Sequence, residues 1–141
     1  FRRVLFRSDL PSVSLGTGRT AVEISTAYYH TCARLDDGTA KCWGYSPYGA
    51  LSMGGNLGHM GDASNEMGDD LPSISLGTGR TAVEISTGEY RTCFRLDDGT
   101  LKCWGHNNFG QLGIGLTTWR TGILSGEMGD NRLPINLGTW V

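Results

Sequence analysis

The sequence predicts an all-β fold made of short four-stranded antiparallel sheets, and three observations carry that prediction. The first is an internal repeat. Residues 9–44 return at 70–105, an offset of 61, with 30 of the 36 aligned positions identical. The second is an apolar period near two, which marks strands, with no dozen-residue window carrying a helical stripe. The third is punctuation: 22 of 141 residues are Gly, roughly twice the usual share, and they fall between the alternating runs. A third copy opens at Glu127-Met128-Gly129-Asp130 and runs through Leu133-Pro134-Ile135-Asn136-Leu137-Gly138-Thr139 to the end of the sequence. The units are expected at 9–69 and 70–130, with 131–141 as the start of a third.

Taken in order, the chain opens Phe1-Arg2-Arg3-Val4-Leu5-Phe6-Arg7-Ser8 without an initiator Met. This stretch matches nothing downstream and reads as a translated sequencing adapter. Residues 1–8 are therefore expected to be a scar, with natural sequence upstream of them. Within a unit, Pro11–Leu15, Ala21–Ser25, Thr31–Leu35 and Thr39–Trp43 each alternate and are bounded by Gly, Asp or Pro, giving four expected strands. One such sheet cannot bury both faces, so units are expected to stack face to face.

The turn Leu35-Asp36-Asp37-Gly38-Thr39 fits a three-residue hairpin with Gly38 at positive φ. Pairing 35 with 39 then sets 34 against 40, 33 against 41, and Cys32 against Cys42. Counting outward puts the cysteines at a non-hydrogen-bonded pair, with Cα atoms about 4.5 Å apart, close enough for a disulfide. The same holds for Cys93 and Cys103 around Asp97-Asp98-Gly99. Closing such a loop stabilises by roughly 2.8 kcal/mol in the chain-entropy model. Paired cysteines imply an oxidising, extracellular or cell-surface setting. Reduced, half-buried thiols are the alternative, and a zinc site is a third, for which C-x9-C without paired His is the wrong spacing.

Charge and hydropathy exclude two classes. The formal net charge is −2, and without Arg2, Arg3 and Arg7 the chain has 9 basic against 14 acidic residues, or −5. That is not the basic face nucleic acid requires. The apolar runs are a few residues long, far short of the roughly 20 needed for a helical membrane span.

The second copy reads Arg91-Thr92-Cys93-Phe94-Arg95-Leu96-Asp97-Asp98-Gly99-Thr100-Leu101-Lys102-Cys103-Trp104-Gly105, followed by Asn107-Asn108-Phe109-Gly110-Gln111-Leu112-Gly113-Ile114-Gly115. This resembles the regulator-of-chromosome-condensation repeat family. The first copy departs from the family ending at Ser46-Pro47-Tyr48-Gly49-Ala50-Leu51-Ser52-Met53-Gly54. The resemblance covers 9–141 and implies a β-propeller in which each unit supplies one four-stranded blade. It also implies action through protein–protein contacts on the ring faces. The family's exchange, inhibitor and light-sensing roles do not transfer by residue, and Gly88-Glu89-Tyr90-Arg91-Thr92 replaces the photoreceptor's Trp-bearing blade motif. Two blades and a fragment cannot close a ring, which takes about four or more. A piece of a longer propeller, a ring closed by several chains, and head-to-tail stacking are the three expectations.

Candidate sites are few. His30, His59 and His106 are scattered, and His30 becomes Arg91 in the next copy, so it reads as a surface or strand-end residue. No nucleophile elbow or phosphate-binding glycine fingerprint occurs, and no catalytic residue or cofactor is expected. The loops Met60-Gly61-Asp62, Met67-Gly68-Asp69-Asp70 and Met128-Gly129-Asp130-Asn131 read as turn formers, with calcium as the alternative. Trp43 and Trp104 share strand faces with Leu35 and Leu96 and are expected to pack between blades. Tyr29 and Tyr90 recur, and an aromatic strip for glycans or protein partners is the other reading of these rings. Trp119 and Trp140 do not repeat and are expected at an exposed end or interface. The expected function is a non-catalytic extracellular interaction module that presents loops 46–70 and 107–131 to a protein partner. The alternative is a subunit that stacks with copies of itself into a fibril.

Overall fold

The computed structural model describes residues 11–55 and 58–138. The expectations for residues 1–8 and for Trp140 lie outside that range. Strands β1 (Ala21–Thr26), β2 (His30–Leu35), β3 (Ala40–Tyr45) and β4 (His59–Met60) form one antiparallel sheet in the order β1-β2-β3-β4. Strands β5 (Ala82–Gly88), β6 (Arg91–Leu96), β7 (Leu101–His106) and β8 (Arg120–Thr121) repeat it. Among the described residues no helix is long and apolar enough to cross a membrane.

The four strands per unit are not the four expected from alternation. Pro11–Leu15 is not a strand, and its counterpart at 72–76 crosses between sheets as an irregular strap. Its polar groups find partners there: the Ile74 N–H donates to the Ala40 carbonyl at 2.8 Å. The fourth strand is the two-residue β4 (or β8), which pairs Gly44 with Met60 and Tyr45 with His59. Alternation misled because Ser and apolar residues also alternate in an extended strap that inserts one side between two sheets.

The hairpin register is Arg34 opposite Ala40, Ala33 opposite Lys41 and Cys32 opposite Cys42. Gly38 has φ +79°, and its N–H donates to the Leu35 carbonyl at 3.0 Å, the left-handed position that a residue with a Cβ adopts poorly. The Asp37 carboxylate accepts from the Thr39 N–H and hydroxyl at 3.0 and 2.7 Å. These two bonds hold its carboxyl below the usual range.

The two sheets pack face to face, and the faces differ. The disulfide side of the first sheet (Cys32, Ala40, Cys42) meets the tryptophan side of the second (Phe94, Leu96, Trp104), with Ile74, Leu76, Leu51 and Met128 filling the edges of one buried cluster. Phe94 and Trp104 meet edge to face at 5.9 Å, a favoured aromatic geometry. Polar rungs cross the same junction. Ser25 Oγ lies 2.8 Å from Thr87 Oγ1, and the Glu23 carboxylate accepts from Arg34 Nε at 2.9 Å and the Ile85 N–H at 3.1 Å. Burial works against the Glu23 charge, but the Arg34 and Ile85 hydrogen bonds overcome it and hold the carboxyl below its usual range. The third copy begins to repeat the arrangement, since the Ile135 N–H donates to the Leu101 carbonyl at 2.8 Å.

Candidate binding face

The cysteines expected to pair are bonded in each hairpin: S–S is 2.05 Å for Cys32–Cys42 and 2.02 Å for Cys93–Cys103, with Cα separations of 4.1 Å. Cys32 and Cys42 are sealed between the sheets, whereas Cys93 is only half-buried on the second sheet's far side. Trp104 and Leu96 lie in the inter-sheet core, and the Trp104 indole N–H donates to the Glu127 carbonyl at 3.1 Å. Leu35 is buried and Trp43 half-buried, but on the first sheet's opposite face, outside that core cluster. Gly99 takes the same left-handed turn as Gly38, at φ +81°.

His30 is not at the surface. It opens β2 but is only 3 % exposed, because the second sheet covers it. Its Nε2 lies 2.8 Å from Thr92 Oγ1. Thr92 Oγ1 spends its hydrogen on the Ala50 carbonyl at 2.7 Å, so Nε2 must be the donor. Among the described residues Nδ1 is then a buried acceptor without a partner. Burial pushes the imidazole down from 6.5 to about 4.

The acidic loops engage protein donors. Asp69 accepts from the Thr17 N–H and hydroxyl at 2.8 and 2.6 Å, and Asp130 repeats this with Thr78. Glu66 accepts from three successive N–H groups, at Gly61, Asp62 and Ala63. Asp69 and Asp130 thereby tie their loops to segments 52 residues away, and Glu66 closes its own turn. Among the described residues no three His, Cys, Asp or Glu gather to hold a metal.

Much of each long loop is structural: Ala50, Leu51 and Ser52 are buried, and so is Leu112. One exposed edge carries most of the aromatic side chains. It is built by the β1–β2 and β5–β6 turns, the ends of β3 and β7, and the segments just after them. Tyr29 and Tyr90 stack at 5.5 Å, Tyr28 meets Tyr29 at 4.8 Å, and Tyr45 stacks on His59 at 4.7 Å. Tyr48 bridges Tyr90, His106 and Trp119 at 4.9, 5.1 and 5.9 Å. The Arg120 guanidinium lies 4.1 Å from the Trp119 ring, a cation–π contact. Tyr28, Phe109 and Trp119 are largely exposed. The Tyr90 phenol is pushed up to about 12, first by the adjoining Tyr29 phenol and then by partial burial and the nearby Glu89.

The glycine after each repeating tryptophan positions this edge. At Gly105 (φ +115°) a Cβ would collide with the Tyr90 carbonyl. Its absence lets the His106 N–H reach that carbonyl at 2.9 Å and brings the two rings together. Gly44 does the same for Tyr45 and Tyr29 at 2.8 Å.

Tyr29, Tyr90 and Trp119 were singled out in the sequence; Glu89, Arg91, Phe109 and Gln111 were not. A signal was available in the differences between the copies. Of six substitutions in 36 positions, Ala27/Gly88, Tyr28/Glu89 and His30/Arg91 cluster at one turn, and Tyr45/His106, Tyr48/Phe109 and Ala50/Gln111 follow just downstream.

Comparison with known proteins agrees with this architecture. The regulator of chromosome condensation (RCC1) repeat model matches residues 21–50 and 82–111. The ultraviolet-B receptor UVR8 of Arabidopsis thaliana is 29 % identical over 93 residues, covering 66 % of this chain and 19 % of that protein. The probable E3 ubiquitin-protein ligase HERC4 of Homo sapiens is 28 % identical over 93 residues, covering 66 % and 8 %. Among solved structures, human WBSCR16 superposes with a TM-score of 0.59 at 17 % identity, over 74 % of this chain and 24 % of that one. Yeast RCC1 (Prp20), in its complex with Kap60, gives 0.51 at 17 % identity, over 70 % and 21 %. The chain thus spans less than a quarter of each of these relatives. The fold is that of neighbouring β-propeller blades.

Proposed function

Because residues 21–50 and 82–111 are repeats of the regulator-of-chromosome-condensation type, carried on two docked propeller blades, we propose that this chain is a protein-interaction module of an extracellular or cell-surface propeller. The observation that carries the reading is the aromatic edge. Tyr, Trp and Arg dominate binding hot spots, and an edge of Tyr, Trp, Gly and Asn has the composition of a recognition surface. Yeast RCC1 has been crystallised bound to Kap60, so the scaffold supports protein binding elsewhere. The segments that meet a partner are then 46–49 of loop 46–70 and 107–111 and 119–120 of loop 107–131, with the strand-end residues Tyr45 and His106 beside them. Two disulfides support the oxidising compartment. Selection of a phage-displayed peptide library on the oxidised chain tests the reading. Enriched peptides should lose binding when Tyr28, Tyr29 and Trp119 are all replaced by Ser. Binding that survives that replacement, or no enrichment, refutes it.

A second reading, stacking with copies of itself, is favoured by one feature of the repeats. Both sides of the internal junction recur in the chain: Thr31, Leu35 and Trp43 match Thr92, Leu96 and Trp104, while Cys93, Cys103 and Leu112 match Cys32, Cys42 and Leu51. Two changes between the copies compensate in size. The internal cluster holds Phe94 with Ala40, and a repeated junction would set Ala33 against Leu101. Such head-to-tail contacts close into rings or run on as filaments. Light scattering after size exclusion tests this: a discrete multimer or a void-volume species supports it, and a single species near 15.2 kDa refutes it.

A further inference from the structure

Beside the stacked tyrosines lies a hollow of about 280 Å³ lined by Glu89, Tyr90, Arg91, His106, Phe109 and Gln111. We propose that it is a binding site for a neutral sugar ring; it shares His106, Phe109 and Gln111 with the protein-binding edge proposed above but does not depend on that reading.

The walls are aromatic and stand across one another. His106 meets Tyr90 at 6.4 Å and 64°, and Phe109 at 6.3 Å and 71°. Phe109 is 88 % exposed, so a flat apolar face is offered to solvent at the mouth. Such a face suits the C–H side of a pyranose, which is apolar while its rim carries hydroxyls.

The polar groups are fixed in advance. Gln111 Oε1 accepts from the Phe109 N–H at 2.9 Å, which leaves its amide nitrogen to donate to His106 Nδ1, also at 2.9 Å. With Nδ1 occupied as an acceptor, the neutral ring carries its hydrogen on Nε2 and has it free to donate. Glu89 supplies acceptors and Arg91 donors. Their charges cancel, so the lining selects neither a phosphate nor an ammonium group but a neutral partner with both donors and acceptors. The volume is at the small end of ligand pockets, roughly 300–1,000 Å³, which suits a sugar ring better than a folded surface.

The hollow is not a by-product of the repeat. Five of its six lining residues differ from their counterparts, since Tyr28, His30, Tyr45, Tyr48 and Ala50 stand where Glu89, Arg91, His106, Phe109 and Gln111 do. In the first copy His30 turns into the junction and Ala50 has no amide to hold a ring. One further change is coupled to these: Ala27 becomes Gly88, and a Cβ there would sit 3.0 Å from Arg91 Nε. Gly88 is not at positive φ, so it serves as space, letting the Arg91 side chain lie across the turn.

The test is a titration of the oxidised chain, followed by NMR, with lactose, cellobiose, chitobiose, maltose and mannobiose in turn, each up to about 10 mM. At least one should bind, with shifts in His106 and Phe109. Phe109→Ala should weaken it about tenfold or more. Because that ring is exposed, thermal unfolding should be unchanged. Gly88→Ala should weaken it less, through Arg91. Silence from all five sugars overturns the proposal, as does binding that survives Phe109→Ala. Binding at the hollow of inorganic phosphate or a proline-rich decapeptide with the sugars silent overturns it in favour of that other ligand.

Discussion

Replacing His30 by Gln removes the imidazole buried in the junction while keeping a donor for Thr92. In the folded chain the imidazole is pushed from 6.5 to about 4 by burial alone. The unfolded chain therefore binds the extra proton between those values and the folded chain does not. Stability rises with pH through that window and is lost as pH falls. A shift of about 2.5 units corresponds to about 3 kcal/mol in all, of which about 2 kcal/mol is lost between pH 7 and 5. Glu23, Asp37, Glu66, Asp69, Asp98 and Asp130 have carboxyls held below their usual range; their contribution is lost only as pH falls below about 4.5, so the upper window belongs to His30. Urea unfolding followed by circular dichroism at pH 7, 6 and 5 reads this directly. The native chain should lose about 2 kcal/mol across the series, and His30→Gln should stay nearly flat. Parallel pH profiles for the two proteins would refute the assignment of a neutral, junction-buried His30.

Three further outcomes follow from the packing. In a thiol titration trapped by alkylation and read by mass spectrometry, Cys93–Cys103 should open before Cys32–Cys42, because only the latter is sealed between sheets; equal labelling would contradict this. Gly99→Ala should cost about 1 kcal/mol for its left-handed turn, whereas Gly38→Ala should cost at least about 1 kcal/mol more, since its Cβ would lie 2.7 Å from Thr81 Cβ, just before β5 of the second sheet. Equal losses by thermal unfolding would count against that docking. Phe94→Ala should cost about 3–5 kcal/mol, because the ring is wholly buried against Trp104, while Phe109→Ala should change stability hardly at all.

The repeat, the hairpin register and the cysteine partners were legible because they are local: a turn with Gly38 or Gly99 fixes pairing for five residues on either side. The strap at 11–15 was misread because alternation reports which side is buried and not whether a strand neighbour exists. Burial of His30 was illegible for a different reason. Its cover, Thr92, is 62 residues away, and a His/Arg difference between copies looks like freedom when it in fact separates a covered face from an open one. The aromatic edge was half legible: Tyr29 and Tyr90 recur, but Tyr45, Tyr48 and Phe109 join them only because Gly44 and Gly105 fold the chain back against the preceding turn. The hollow was written in the differences between copies rather than in any motif.

The central claim is that recognition belongs to the aromatic edge and not to the repeated scaffold. Hydrogen–deuterium exchange of the oxidised chain, with and without a selected peptide, tests it most directly. Protection is predicted at 27–29, 45–49, 106–111 and 119–120. Protection confined to the turns at 16–19 and 77–80, on residues the two copies share, would contradict the account.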